Sequence, residues 1–209
     1  MPIALVSSGG TAADLEIHSV RCLDNFSTGK RGAISVEELL KRGYAVIHLW
    51  RRGSASPYGR VLSQAIMALI ERQSALEEGR IMTISFRSVE EYLAKLQLSS
   101  ESLRDSQALA MFFLCGAVSD FYVPLAERST HKIQSQSNCL NLKLWPVPKV
   151  MGLLRRKWAP DAFVCSFKLE TDVSILRRKA EGAVEKYGCH MVVGNLLKTR
   201  YDQVYILAP

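Results

Sequence analysis

Short apolar runs alternate with amphipathic stretches along nearly the whole chain. Residues 3–7 form an apolar strand candidate that ends at the turn signal Ser8-Gly9-Gly10-Thr11. Over 30–42, Ala33, Ile34, Val36, Leu39 and Leu40 recur at helical spacing, with Gly43 as the stop. The same reading predicts strands at 44–50, 81–86, 162–167, 191–193 and 203–207, and helices at 61–78, 89–98, 148–158 and 172–187. Thr171 or Asp172 is placed to cap the last helix and Gly188 to end it. The run at 110–115 is the most hydrophobic, as a central parallel strand covered on both faces requires. Residues 99–107 and 120–137 are polar and predict surface connections, the second long and broken by Pro124, while 140–144 alternates like a strand.

Strands followed in turn by helices imply βαβ units, and hence an α/β fold with a mostly parallel sheet flanked by helices, in one domain over 1–209. Ligands of such sheets bind beyond the carboxyl ends of the strands, near a switch in strand order. The segments to inspect are therefore 8–11, 51–58, 116–135, 167–172 and 194–199.

Charge narrows the partners. With 27 Lys+Arg against 20 Asp+Glu the chain carries +7, which favours nucleic acid, a membrane surface or phosphorylated metabolites. The clusters Arg155-Arg156-Lys157 and Arg177-Arg178-Lys179 fall on helical segments and read as solvated faces. No aromatic platform accompanies them, which argues against nucleic acid. No run approaches the roughly 18 apolar residues of a membrane span, and no basic leader precedes the first strand, so a cytoplasmic protein is expected. Five cysteines, none in a CxxC pair, and four histidines without ligand spacing predict no metal site built from these residues and a reducing compartment.

Five segments carry candidate chemistry. Ser7-Ser8-Gly9-Gly10-Thr11 would let a ligand approach the backbone, or be a plain strand-to-helix turn. Asp24-Asn25-Phe26-Ser27-Thr28-Gly29-Lys30-Arg31-Gly32 places hydroxyls, glycines and free helix amides where an anion would sit, although Asn25 also suits a turn and Lys30 and Arg31 a solvated face. Neither segment is a Walker loop or G-x-G-x-x-G. In 115–122, small residues leave room at a strand end and Asp120 can accept hydrogen bonds from a ribose or base; downstream, Lys132 is either a phosphate contact in a mobile loop or a surface lysine. Phe167 offers a flat wall for a base or belongs to the core, and Asn195 an amide for a base edge.

Together SSGGT, DNFSTGKRG, CGAVSDFYVP, HKIQ, SFKLETD and VVGN, in this order from residue 7 to residue 195, resemble the phosphopantothenate–cysteine ligase family. The resemblance implies a Rossmann-like, doubly wound α/β fold, usually dimeric. It implies joining of 4′-phosphopantothenate to L-cysteine with a nucleoside triphosphate, through an acyl-nucleotide intermediate, with Mg2+ accompanying the triphosphate. By position it makes Asn25 the asparagine at the acyl-phosphate and Lys132 a loop lysine of the chemistry. Gly9, Ser27, Gly29 and Gly32 match the phosphate lining, Asp120 the nucleotide segment, and Phe167 and Asn195 the base. FKLETD and DFYVP resemble the ATP-using eukaryotic branch more than the FAAET-bearing, CTP-using bacterial one. Family members continue past the position of Pro209, so the resemblance implies either a domain shortened at its C-terminus or one with a compact terminus. A nicotinamide-dependent reductase and a non-enzymatic nucleotide- or nucleic-acid-binding module remain the alternatives; the first lacks G-x-G-x-x-G and a Tyr-x-x-x-Lys pair.

Overall fold

A computed structural model describes residues 1–59, 65–134 and 139–209. In chain order the elements are β1 (Ile3–Ser8), β2 (Ala12–Asp14), β3 (Cys22–Asp24), α1 (Lys30–Lys41), β4 (Ala45–Arg51), α2 (Ala65–Glu77), β5 (Ile81–Phe86), α3 (Val89–Ser102), β6 (Ala110–Leu114), β7 (Phe121–Tyr122), β8 (Trp145–Pro146), α4 (Met151–Leu153), β9 (Phe163–Glu170), α5 (Val173–Tyr187), β10 (Met191–Leu196) and β11 (Tyr205–Leu207). After α4 the chain continues as a wider helical turn over Leu154–Trp158.

The main sheet runs β11-β10-β9-β6-β1-β4-β5, parallel throughout except for the antiparallel edge strand β11. Strand order reverses between β1 and β6, the arrangement of a doubly wound dinucleotide-binding sheet. β1 lies at the centre with Ala4, Leu5 and Val6 fully buried, so it can be apolar on both faces. Below one face, Val36 and Leu40 of α1 and Ala75 of α2 pack on Ala4, Val6 and Val46. On the other, Tyr92 and Leu96 of α3, Leu154, Trp158 and Ala180 and Ala183 of α5 close over Leu5, Phe112 and Val164.

Local signals set the helix ends. Ser88 Oγ accepts from the Glu91 N–H at 3.1 Å and starts α3; Asp172 Oδ1 accepts from Ser174 and Ile175 and starts α5, which Gly188 ends with φ +67°. Three expectations need correction. The polar stretch after 98 is not all connection, because α3 runs on to Ser102. Its Ser100 is buried and donates to the Leu96 carbonyl at 2.6 Å, so a hydroxyl satisfied inside the helix replaces the apolar residue expected there. Residues 140–144 pair with no strand among the described residues; only Trp145–Pro146 does, with Phe121–Tyr122. The β2–β3 hairpin was not foreseen. The first residues of the helix expected at 61–78 lie outside the described residues.

Candidate active site

The switch point is stitched together by backbone. Gly10 bridges Ala117, with Thr11 N donating to Ala117 O at 3.0 Å and Ala117 N to Gly9 O at 2.8 Å. Asn25 N donates to Thr11 O at 3.0 Å, which lays the 24–29 loop across the end of β1. The glycines serve this packing. A Cβ on Gly10 would lie 1.6 Å from the Asn25 carbonyl oxygen, one on Gly32 2.2 Å from Ser8 Cβ, and one on Gly9 2.3 Å from Arg51 Cβ. Gly9 and Gly29 also hold φ of +86° and +73°. Gly10 thus admits the chain's own loop rather than a ligand.

Asn25 is oriented by a chain of donors. Ser119 N donates to Thr11 Oγ1 at 2.8 Å; the two hydroxyls lie 3.1 Å apart; and Ser119 Oγ donates to Asn25 Oδ1 at 3.1 Å. With Thr11 Oγ1 accepting from an amide, its own proton goes to Ser119 Oγ, and the Ser119 proton to Asn25. One lone pair of the amide oxygen is thereby engaged, and Nδ2, which has no hydrogen-bond partner among the described residues, is available to a ligand in the cavity that Asn25 lines.

That cavity, of about 920 Å³, opens at the carboxyl ends of β6, β9 and β10, beside the 25–29 loop. Asn25, Ser27, Gly29, Gly32, Asp120, Phe167 and Asn195 line it; Gly9 and Lys132 do not. The N-terminal amides of α1 face it beside Ser27 and Thr28, the setting for an anion. Asp120 is exposed and paired with Lys149 at 2.8 Å. Phe167 packs edge-on against Phe113, ring centroids 5.0 Å apart.

Arg31, which the sequence left as a possible surface residue, enters this wall. Its guanidinium lies 5.7 Å from the centre of the Phe167 ring and donates to Asn195 Oδ1 at 2.5 Å and to Arg200 O at 2.6 Å. Asn195 Nδ2 in turn meets the carbonyls of Lys168 and Val193, each at 3.3 Å. Both ends of the Asn195 amide are occupied within the protein, so Arg31 and Phe167 present the open surface here. Contacts 164 residues apart leave no local signal, which is why composition did not point to Arg31.

Behind the loop, His48 is fully buried with Nε2 3.0 Å from Ser8 Oγ, and burial pushes its pKa down to about 4, so the ring is neutral. Cys115 lines the cavity, but burial pushes its thiol up to about 12 and it donates to Ser7 O at 3.0 Å. A thiol held protonated in this way is no nucleophile.

Lys132 is exposed, and its segment is tied to the β2–β3 hairpin. Ile17 and His18 amides donate to the carbonyls of Ser129 and Thr130, and His18 stacks on His131. The enclosed Glu16 carboxylate accepts from Val20 N, Arg21 N, Arg21 Nε and Ile133 N, while Arg21 Nη2 donates to Ile133 O at 2.5 Å. Lost solvation pushes this carboxyl up, but the hydrogen bonds from Arg21, Ile133 and Val20 outweigh it and hold the pKa at about 2. The loop foreseen as free over 120–137 is thus anchored at 129–133; its last residues lie outside the described ones.

Comparison with known proteins decides the family. The model of the DNA/pantothenate metabolism flavoprotein C-terminal domain matches residues 61–205. Phosphopantothenate–cysteine ligase 1 of Arabidopsis thaliana is 45% identical over 96% of this chain and 71% of its own length. The chain belongs to the phosphopantothenate–cysteine ligase family. The ligase of Homo sapiens is 39% identical over 98% of this chain and 75% of its own. A solved Cab2 mutant in complex with phosphopantothenate-cysteine superposes with a TM-score of 0.92 at 36% identity, over all of this chain and 77% of that one. A flavoprotein from Streptococcus pneumoniae, at 21% identity and a TM-score of 0.73, shares the ligase fold.

Proposed function

We propose that the chain joins 4′-phosphopantothenate to L-cysteine at the expense of ATP, as a ligase of coenzyme A synthesis. The observation that carries this reading is Asn25, held by Ser119 on the wall of a cavity that the first turn of α1 also lines. In the first half-reaction a carboxylate oxygen of phosphopantothenate attacks the α-phosphorus of ATP, a P–O bond forms, and pyrophosphate leaves. In the second, the cysteine amine attacks the acyl carbon, AMP leaves, and the nitrogen loses a proton to solvent. Asn25 Nδ2 donates to the oxygens whose charge changes in both steps, and Ser27 and the amides up to Gly32 hold the phosphates. Arg31 and Phe167 form the wall against the adenine, with Asn195 fixing Arg31. Gly9 acts indirectly, by setting the course of the chain beside Arg51. The nucleophiles belong to the substrates, in keeping with the protonated Cys115.

Among the described residues no three His, Cys, Asp or Glu side chains come together as a metal site. Magnesium suits this donor set, because it keeps waters and takes phosphate oxygens with one or two carboxylates. Asp120 and Glu170 are the carboxylates on the cavity wall. When bound, the ion would neutralise charge on the triphosphate. Lys132 lies between the anchors at Thr130 and Ile133, so it reaches the phosphates only if those contacts with the β2–β3 hairpin open and let it swing inward, closing the site and keeping water from the acyl-adenylate.

Pyrophosphate release is the test. It should require phosphopantothenate and magnesium, AMP release should require cysteine as well, and kcat/KM should be higher for ATP than for CTP. Release without phosphopantothenate sinks the ligase reading; a preference for CTP sinks only the choice of base.

We also propose a cytoplasmic homodimer. No helix among the described residues is long and apolar enough to cross a membrane. Leu140, Leu142 and Leu144 alternate along an extended segment and stand 49%, 38% and 37% exposed, an apolar stripe that a second copy would cover. Sedimentation at twice 23.3 kDa is expected; a monomer at micromolar concentration would refute it.

A further inference from the structure

Four lysines stand on the cavity wall; two of them, Lys30 and Lys168, make no ion pair among the described residues, and of these only Lys168 is half-buried. Lys149 pairs with Asp120 at 2.8 Å and Lys179 with Glu170 at 2.6 Å, and both ammonium groups are well exposed; Lys30 lies in the first turn of α1. Lys168 is half-buried, and among the described residues its ammonium has no hydrogen bond or ion pair. Lost solvation, and then the neighbouring Lys149 ammonium, lower its pKa and outweigh the opposing pull of the Asp120 carboxylate, which is itself paired with Lys149. A cation placed so is costly unless an anion arrives to meet it.

The strand decides which way it faces. Phe167 and Lys168 are adjacent on β9 and point to opposite faces of the sheet. Phe167 packs toward Phe113 and Arg31, on the α1 side. Lys168 shares its face with Val164, which is buried with Leu154, Ala183 and Cys189 on the other side. The cavity continues there between Met151 and Tyr187. The helix amides and Arg31 serve the α1 side, so an anion met by Lys168 lies on the α5 side of the same cavity.

We propose that Lys168 is a phosphate-binding residue, its ammonium engaging a phosphate group of a substrate seated in the part of the cavity between β9 and α5. This rests on the ligase reading for the identity of the substrate. Two phosphates could supply the group: the monoester of phosphopantothenate, remote from the carboxylate at Asn25, and the tail of the triphosphate. The placement of Lys168 on the face of β9 opposite Phe167 and Arg31 favours the monoester.

Lys168→Met keeps the stem and removes the charge; Lys168→Arg restores it. For the monoester, Lys168→Met should lower kcat/KM for phosphopantothenate about 10–100-fold, the worth of one hydrogen bond to a charged group. It should leave kcat/KM for unphosphorylated pantothenate and KM for ATP unchanged, and Lys168→Arg should recover most of the loss. A rise in KM for ATP alone would support phosphate binding and assign the group to the nucleotide. The proposal is overturned if all three values stay within twofold, or if phosphopantothenate and pantothenate suffer equally, as a merely structural lysine would give. If the unaltered chain turned over nothing, the ligase reading would fail while this one was still decided. Inorganic pyrophosphate should then protect the unaltered chain against thermal unfolding and not Lys168→Met; equal protection, or none in either, overturns it.

Discussion

Replacing Asn25 by alanine should leave the protein folded and lower kcat about 10²–10³-fold, the usual effect of losing one oriented donor to a developing oxyanion. The expectation of an intact fold rests on what holds the loop. Asn25 N to Thr11 O, and the contact of its carbonyl with Gly10, are backbone interactions that the substitution leaves in place. Only the amide and its bond from Ser119 disappear. Ser119→Ala removes the orienting hydroxyl but keeps the Ser119 N–H to Thr11 Oγ1 contact, so the amide stays present but free to rotate. Its loss should be smaller, below about 10²-fold, the scale of a misplaced catalytic group. Since Ser119 works through Asn25, the double variant should be no slower than Asn25→Ala alone. Single-turnover formation of the acyl-nucleotide, followed by quench, measures all three. Near-normal rates in a folded Asn25→Ala protein would remove Asn25 from the chemistry, and additive losses would make Ser119 independent of it.

The parts of this site that the sequence displayed, and those it hid, separate on a physical basis. Strands β1, β6 and β9 were legible because burial on both faces demands continuous apolar runs, and the caps at Asp172 and Gly188 because local hydrogen bonds and positive φ select few residue types. Ser99 and Ser100 concealed the last turn of α3, since a serine satisfied inside its helix looks polar in a sequence. Residues 140–144 show the alternation of a half-buried strand, yet no strand among the described residues receives them. DNFSTGKRG and AVSD pointed to the cavity as motifs. What brings them together is not local: Thr11 and Ser119 are 108 residues apart and Arg31 and Asn195 164. For the same reason Lys132 was placed on a free loop, although Glu16, 117 residues before Ile133, anchors it.

Gly10→Ala should cost more activity than its effect on stability explains. The added Cβ would lie 1.6 Å from the Asn25 carbonyl oxygen and 2.8 Å from its carbonyl carbon. Both are backbone atoms, so no side-chain rotation relieves the clash, and the 24–29 loop must move by more than an ångström. That shift stretches Asn25 N to Thr11 O and carries the amide away from Ser119. Overpacking of this kind costs about 1–3 kcal/mol, which leaves most molecules folded at 25 °C if the domain has ordinary stability. Displacing a catalytic group by an ångström costs about 10²-fold in rate, and here the phosphate-binding amides of α1 move with it. The control is Gly182→Ala: Gly182 lies inside α5, where an added Cβ meets nothing within 4 Å, so the variant should gain about 0.5–1 kcal/mol with unchanged kcat/KM. Thermal unfolding and steady-state kinetics on both variants decide the matter. If Gly10→Ala lost stability but kept its turnover, the position of the 24–29 loop would not govern the reaction; if it kept both, the contact between Gly10 and Asn25 would be wrong.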